Sequence, residues 1–240
     1  MKEKTTIIMY SHSSYSDVWP LFFKQTDKYL SGYKKVLFCD SDMGKLPEDW
    51  DFVSYNNEDD YATRVASCMK NIDTELSFFH HEDMFLYSAP DYELLEKYSN
   101  IVLNDDIDFI RLLRSTDDTI LNFKNMKTLF FIPSYSQYFF TIQPTLIKTT
   151  KLTEIYKNTQ IQNFRDFEIN VQKTCRDMNI KGLFHYNSED KVGMHHYNSS
   201  VYPYICTAIV KGKWNFSEYR NVILRLLQEN NIDYTKRGVA

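Results

Sequence analysis

Two histidines and two acids stand together in SFFHHEDMFL (77–86), at the end of one apolar run and the start of another. Carboxylate oxygens at a strand end are hard ligands, and a Mg²⁺ or Mn²⁺ ion held by one or two of them can be shared with a diphosphate. Asp83 supplies such an oxygen, with Glu82 or His81 beside it. A zinc-protease helix would require H-E-x-x-H, and Asp83-Met84-Phe85 after His81-Glu82 breaks that spacing. An acidic pair can also form a solvated turn. The flanking SFF and MFLY are too apolar for one, and two buried carboxylates without a partner cost on the order of several kcal/mol each.

A strand must deliver that acid, and the order of the preceding elements says which. TTIIMYS (5–11) is a short β-branched run ending in small polar residues. SDVWPLFFKQTDKYL (16–30) follows with apolar residues at helical spacing and Asp17 placed to cap the helix. KKVLFCDSD (34–42) is a buried strand ending in acids and DFVSYN (51–56) a third strand. NEDDYATRVASCMKNI (57–72) is an amphipathic helix with Ala62, Val65, Ala66 and Met69 on one face. This β-α-β-β-α lead runs into TELSFFHHEDMFLYS (74–88), whose apolar rebound after the acids predicts a strand that bends or restarts. In open α/β sheets ligands bind outside the carboxyl ends of strands, where Asp40, Asp42, Glu82 and Asp83 all fall.

The second half changes character. SQYFFTIQPTLIKTT (136–150) predicts an antiparallel strand leading into a short helix at KLTEIYKN (151–158). NFRDFEINVQKTCRDM (163–178) predicts a helix with Phe167, Val171, Cys175 and Met178 on a stripe. VYPYICTAIVKGKW (201–214) reads as a strand closed by a Gly turn, and NFSEYRNVILRLLQENN (215–231) as a helix opened by an Asn215–Glu218 capping box. Six glycines and six prolines are scattered singly, with no repeat or linker, which predicts one continuous α/β domain over 1–240.

The formal charge of -4 leaves no basic surplus for phosphate-backbone binding and argues against a nucleic-acid partner. Cys39, Cys68, Cys175 and Cys206 lie far apart among apolar neighbours, with no C-x-x-C pair, and are expected as buried, reduced thiols. The apolar stretch near the N-terminus is too short for a signal peptide, and no run approaches the ~20 residues of a membrane span. The expectation is a cytoplasmic protein, with association at a membrane surface left open.

The β-α-β-β-α lead, an apolar strand ending in an acidic triplet, and then MFLYSAPD together resemble the GT-A class of nucleotide-sugar glycosyltransferases, whose D-x-D motif sits at that place. The layout is most similar to the small single-domain enzymes of large viruses and bacteria. Here His81-Glu82-Asp83 keeps the last acid and replaces the first by histidine, still a competent Mn²⁺ ligand. FTIQPTLIKTTKL is similar to the strand and helix bordering the donor sugar, NFRDFEI to the acidic segment carrying the catalytic base, and AIVKGKW to a late strand and turn. The resemblance implies a mixed central sheet flanked by helices, mostly parallel in its N-terminal half. It implies a nucleotide-binding half over about 1–105 and an acceptor-side half over about 106–240. It further implies Mn²⁺ or Mg²⁺ as cofactor, a UDP-sugar as donor, and a glycan or lipid-linked acceptor.

In that class, inverting displacement of a nucleoside diphosphate needs a carboxylate to take the acceptor's proton and a cation to offset charge on the leaving group. Glu168 is the first candidate for the base, because it lies about 100° around the helix from Phe167, at the edge of the buried face. Asp166 is the second, although acids in a helix's first turn are favoured by the dipole alone. Asp40 is implied as a nucleoside contact, with Ser11, Tyr15 and Asp17 in the loop that holds the base and Arg64 near base or ribose. Lys211 or Lys213, flanking Gly212, would reach the diphosphate, and His195, beside His196, would complete the cation's shell. Two other classes stay open: a non-catalytic nucleotide or carbohydrate binder, and a pyrophosphorylase-like nucleotidyltransferase. The glycine-free loop YSHSSYSD after the first strand counts against the latter.

Overall fold

The computed structural model describes residues 1–115 and 120–240. The run Thr5–Tyr10 forms β1, an inner strand of the sheet with a hydrogen-bonded neighbour on each edge and all six of its side chains buried, as in a sheet covered on both faces. α1 (Trp19–Tyr29), β2 (Lys34–Cys39), β3 (Asp51–Ser54), α2 (Tyr61–Met69) and β4 (Leu76–His81) follow in the order expected. These four strands are parallel. β2 pairs with one edge of β1 and β4 with the other, in a register that sets Tyr10 opposite both Phe38 and His81.

The rest of the sheet is built from shorter pieces: α3 (Tyr92–Asn104), β5 (Phe109–Arg111), β6 (Leu129–Phe131), β7 (Thr145–Lys148), α4 (Thr149–Asn158), α5 (Asp166–Asp177) and β8 (Gly182–His185). β7 runs antiparallel to both β4 and β5, and β6 antiparallel to β8. The outcome is an α/β fold with one eight-stranded mixed sheet, β3-β2-β1-β4-β7-β5-β8-β6, parallel in its N-terminal half and flanked by helices. Phe109 lies so close over β8 that a Cβ on Gly182 would sit 2.2 Å from its ring, so only glycine fits there.

Two hairpins, β9 (Lys191–Val192) with β10 (His196–Tyr197) and β11 (Ile209–Val210) with β12 (Lys213–Trp214), precede α6 (Phe216–Glu229). Lys211 (φ 50°) and Gly212 (φ 79°) make the left-handed two-residue turn between β11 and β12. Asn215 opens α6 as expected, its Oδ1 accepting from the Glu218 N–H while its Nδ2 reaches the Glu218 carboxylate. Phe167, Val171 and Cys175 form the buried stripe of α5, and all four cysteines are buried and unpaired. No helix among the described residues is long and apolar enough to cross a membrane.

Several local expectations are corrected. The chain does not restart as a strand after β4: a Met84 N–H to His81 carbonyl bond closes a turn, and 83–87 then runs beside 203–208. Those two segments exchange only a few backbone bonds, including a single bridge between Leu86 and Tyr204. VYPYICTA is therefore irregular rather than a strand, and of SQYFFTIQPTLIK only the last four residues pair in the sheet. Asp17 caps nothing. α1 starts two residues later with Val18 at its N-cap, and the Asp17 carboxylate is drawn away by Arg237.

Candidate active site

Because β1 leads to β2 on one side while β4 lies on the other, the connections leaving these strands diverge and a crevice opens at their carboxyl ends. A cavity of about 540 Å³ occupies this position. Tyr10 and Ser11 line it from the end of β1, and His81, Glu82 and Asp83 from the end of β4. Ile142, Phe164 and Glu168 line it from the second half of the chain, and Thr207, Lys211 and Gly212 from the segment around β11. Residues that the sequence spreads over 200 positions meet here.

Asp83 is 8% exposed, and its Oδ2 accepts from the Thr207 hydroxyl (2.9 Å) and the Ile209 N–H (3.2 Å). Glu82, equally buried, lies beside it. Neither acid forms an ion pair among the described residues. Burial and then the neighbouring Asp83 charge push the Glu82 carboxyl well above the ordinary range, which Ser11 and Arg237 offset only in part. Burial likewise raises Asp83 against the hydrogen bonds it accepts. Two adjacent buried carboxylates without a cation are an arrangement that a divalent ion relieves.

No three His, Cys, Asp or Glu side chains among the described residues converge as a complete metal cage. Mg²⁺ and Mn²⁺ sites that share substrate phosphates need only one or two carboxylates, so Glu82 and Asp83 fit a shared ion, not a protein-only one. His81 lines the cavity, but its Nε2 is engaged with the Tyr61 hydroxyl at 2.9 Å, and that hydroxyl meets Tyr156 at 3.0 Å. Burial lowers the His81 pKa to about 4, so the ring is neutral at physiological pH. His80 points elsewhere and meets the Tyr202 hydroxyl at 2.9 Å.

Glu168 Oε1 accepts the Ile142 N–H at 2.9 Å, which fixes the carboxylate and leaves Oε2 without a protein partner among the described residues. Asp166 is not in the cavity. Its Oδ2 is taken up by the backbone N–H groups of Gln162 and Asn163, closing the turn before α5. The Ser11 hydroxyl accepts from Trp19 Nε1 at 2.7 Å and belongs to the wall. Tyr15 also lines the cavity, with the Arg237 guanidinium 5.1 Å from its ring centre.

Asp40 lies just outside, where the Ser13 hydroxyl and backbone N–H hold its carboxyl below the usual range against the opposing effect of burial. Arg64 turns to the carbonyls of Asn57 and Asp59 and over the Tyr55 ring, and Asp17 pairs with Arg237. Lys211 faces the cavity and Lys213, in β12, does not. His195 is exposed beside Tyr138, outside the cavity.

Thr207, Ile142, Phe164 and Arg237 belong to the site or its rim without having been singled out from the sequence. None of the four carried a local signal, because each acquires its place only through contacts between distant segments.

No protein-family model matches the chain, and no curated protein matches its sequence. Solved structures are similar to it. S. aureus TarS 1-349 matches at 11% identity and a TM-score of 0.49, covering 98% of this chain and 68% of that one. The bifunctional IspDF from Campylobacter jejuni matches at 16% identity and a TM-score of 0.48, covering 78% of this chain and 50% of that one. A CMP:2-keto-3-deoxy-manno-octonic acid synthetase complexed with CTP matches at 10% identity and a TM-score of 0.47, covering 75% of this chain and 88% of that one. The chain thus aligns with half the length of the Campylobacter jejuni protein.

Proposed function

We propose that the chain is a metal-assisted glycosyltransferase that moves a sugar from a nucleoside-diphosphate donor, UDP-linked, to a hydroxyl of a glycan or lipid-linked acceptor with inversion. The observation that carries this reading is the presence of two separate carboxylate groups in one switch-point cavity: the Glu82–Asp83 pair just after β4, with no cationic partner among the described residues, and Glu168 from α5, with one oxygen fixed by the Ile142 N–H. The location is where α/β sheets bind nucleotides, and two acidic groups divide the two tasks that the transfer requires.

Glu82 and Asp83 would hold Mn²⁺ or Mg²⁺ between the chain and the diphosphate. When bound, such an ion offsets the charge that develops on the leaving phosphate. Thr207 and the Ile209 N–H fix one oxygen of Asp83, so the carboxylate is oriented before the donor arrives. Glu168 Oε2 takes the proton of the acceptor hydroxyl as that oxygen bonds to the anomeric carbon and the bond from that carbon to the phosphate oxygen breaks. Tyr15 and Lys211 are assigned to the base and diphosphate. The first ~105 residues would then supply most of the nucleotide contacts, with Lys211 added from the second half, and the rest would serve the acceptor.

A second reading, a nucleotide binder without turnover, draws support from His81, which stands in place of the first acid of the triplet and has its Nε2 engaged with the Tyr61 hydroxyl at 2.9 Å. A screen of UDP-sugars with and without Mn²⁺, reading free UDP for wild type and Asp83→Ala, separates the two. Manganese-dependent release that the variant loses supports the transferase, and nucleotide binding without release under any condition supports the binder.

A further inference from the structure

We propose that Phe164 and Glu168 together form an acceptor subsite that takes the apolar face of a neutral pyranose ring; this rests on the transferase reading above. Phe164 lines the cavity and is 53% exposed, although most aromatic residues of this protein are buried. Its ring is held in place from one side. It meets Tyr61 edge-on at 4.9 Å and 72°, and lies 6.1 Å from His81, itself fixed through Tyr61. The orientation is therefore set before any ligand arrives, and the exposed part of the ring is available for contact.

The chemistry around that ring selects the ligand. Glu168, four residues on, lines the same cavity and offers a carboxylate oxygen without a partner among the described residues, an acceptor for hydroxyl donors. The lysine of the cavity, Lys211, comes from the β11–β12 turn and not from this segment. A ring with C–H groups on one face and hydroxyl donors at its edge satisfies both the aromatic platform and the carboxylate. An anionic group at that edge does not, because the Glu168 carboxylate beside the ring would repel it. A hydroxyl of such a ring lies next to the oxygen that the reaction needs as its base, so the platform also orients the nucleophile.

The test uses saturation-transfer NMR with methyl glucoside, methyl galactoside and methyl N-acetylglucosaminide as probes, on the full chain with UDP and diamagnetic Mg²⁺, for wild type, Phe164→Ala and Phe164→Tyr. Ring-proton saturation is expected in wild type and in the tyrosine variant, with affinity lowered roughly tenfold in the alanine variant, about the worth of one aromatic contact. UDP affinity should be equal in all three. Glycoside binding unchanged in Phe164→Ala, or absent from wild type that binds UDP, overturns the subsite. Loss of UDP affinity in Phe164→Ala also overturns it and makes the ring a nucleobase platform. Failure of wild type to bind UDP with magnesium, while Phe164-dependent glycoside saturation persists, sinks the donor reading and leaves the subsite standing.

Discussion

The Thr207 hydroxyl donates a 2.9 Å hydrogen bond to Asp83 Oδ2 across 124 residues of sequence, tying the end of β4 to the irregular segment before β11. That bond and the Ile209 N–H occupy one oxygen of a carboxylate that has no cationic partner among the described residues. Asp83 is thus oriented but not neutralised, which suits a group that binds a cation only when a substrate brings one.

Asp83→Asn keeps an oxygen that can accept from Thr207 and Ile209 while removing the charge. The variant should fold with a melting temperature at or above that of wild type, because a buried unpaired charge is gone. Its UDP affinity should lose its dependence on Mn²⁺, a drop of about 10- to 100-fold at saturating metal, measured by calorimetry.

Glu168→Gln keeps the acceptor for the Ile142 N–H and removes the base. Transfer rate should fall by about 10²- to 10⁴-fold, the usual worth of general base catalysis, with donor affinity unchanged. Retained transfer would remove Glu168 from that role and leave the base unassigned.

How far the site could be read in advance divides along the chain. Most of the β-α-β-β-α lead was legible because its main elements are long and continuous, six residues in each of β1, β2 and β4 against four in β3, with acids following the ends of β2 and β4. Glu168 stood out through the Phe167 stripe. What was not legible depends on contacts between distant, irregular pieces. β5 and β6 are three residues each, and periodicity cannot identify a run that short. Nothing local in VYPYICTA indicates that it lies against 83–87, and Thr207 acquires its role only through that packing. Asp17 appeared as a helix cap because Arg237, its partner 220 residues on, cannot be seen from position 17.

The Glu82 carboxyl, raised by burial and by Asp83, binds its proton more tightly in the folded chain than in the unfolded one. Its contribution to stability is therefore complete below the unfolded value of 4.5 and is lost as pH rises through the folded value. Nucleotide-free protein should melt at a lower temperature at pH 8.5 than at pH 6, and Glu82→Gln should flatten that slope and raise the melting point at pH 8.5 by roughly 2–4 °C per kcal/mol recovered. An identical slope in the variant would show that Glu82 does not carry this charge.

Gly182→Ala places a methyl group 2.2 Å from the Phe109 ring. Overpacking of this kind costs about 1–3 kcal/mol, readable in urea unfolding, and a second substitution, Phe109→Leu, should restore part of it. The two changes should be non-additive if β8 is held against β5 by this contact.

The most direct test is a titration of Mn²⁺ followed by the loss of its free-ion EPR signal, on wild type and Asp83→Asn, with and without UDP. Wild type should take up one ion per chain when UDP is present and far less without it, and the variant should take up little in either case. Uptake by wild type that ignores UDP, or uptake by the variant equal to wild type, would contradict a cation shared between Asp83 and the diphosphate.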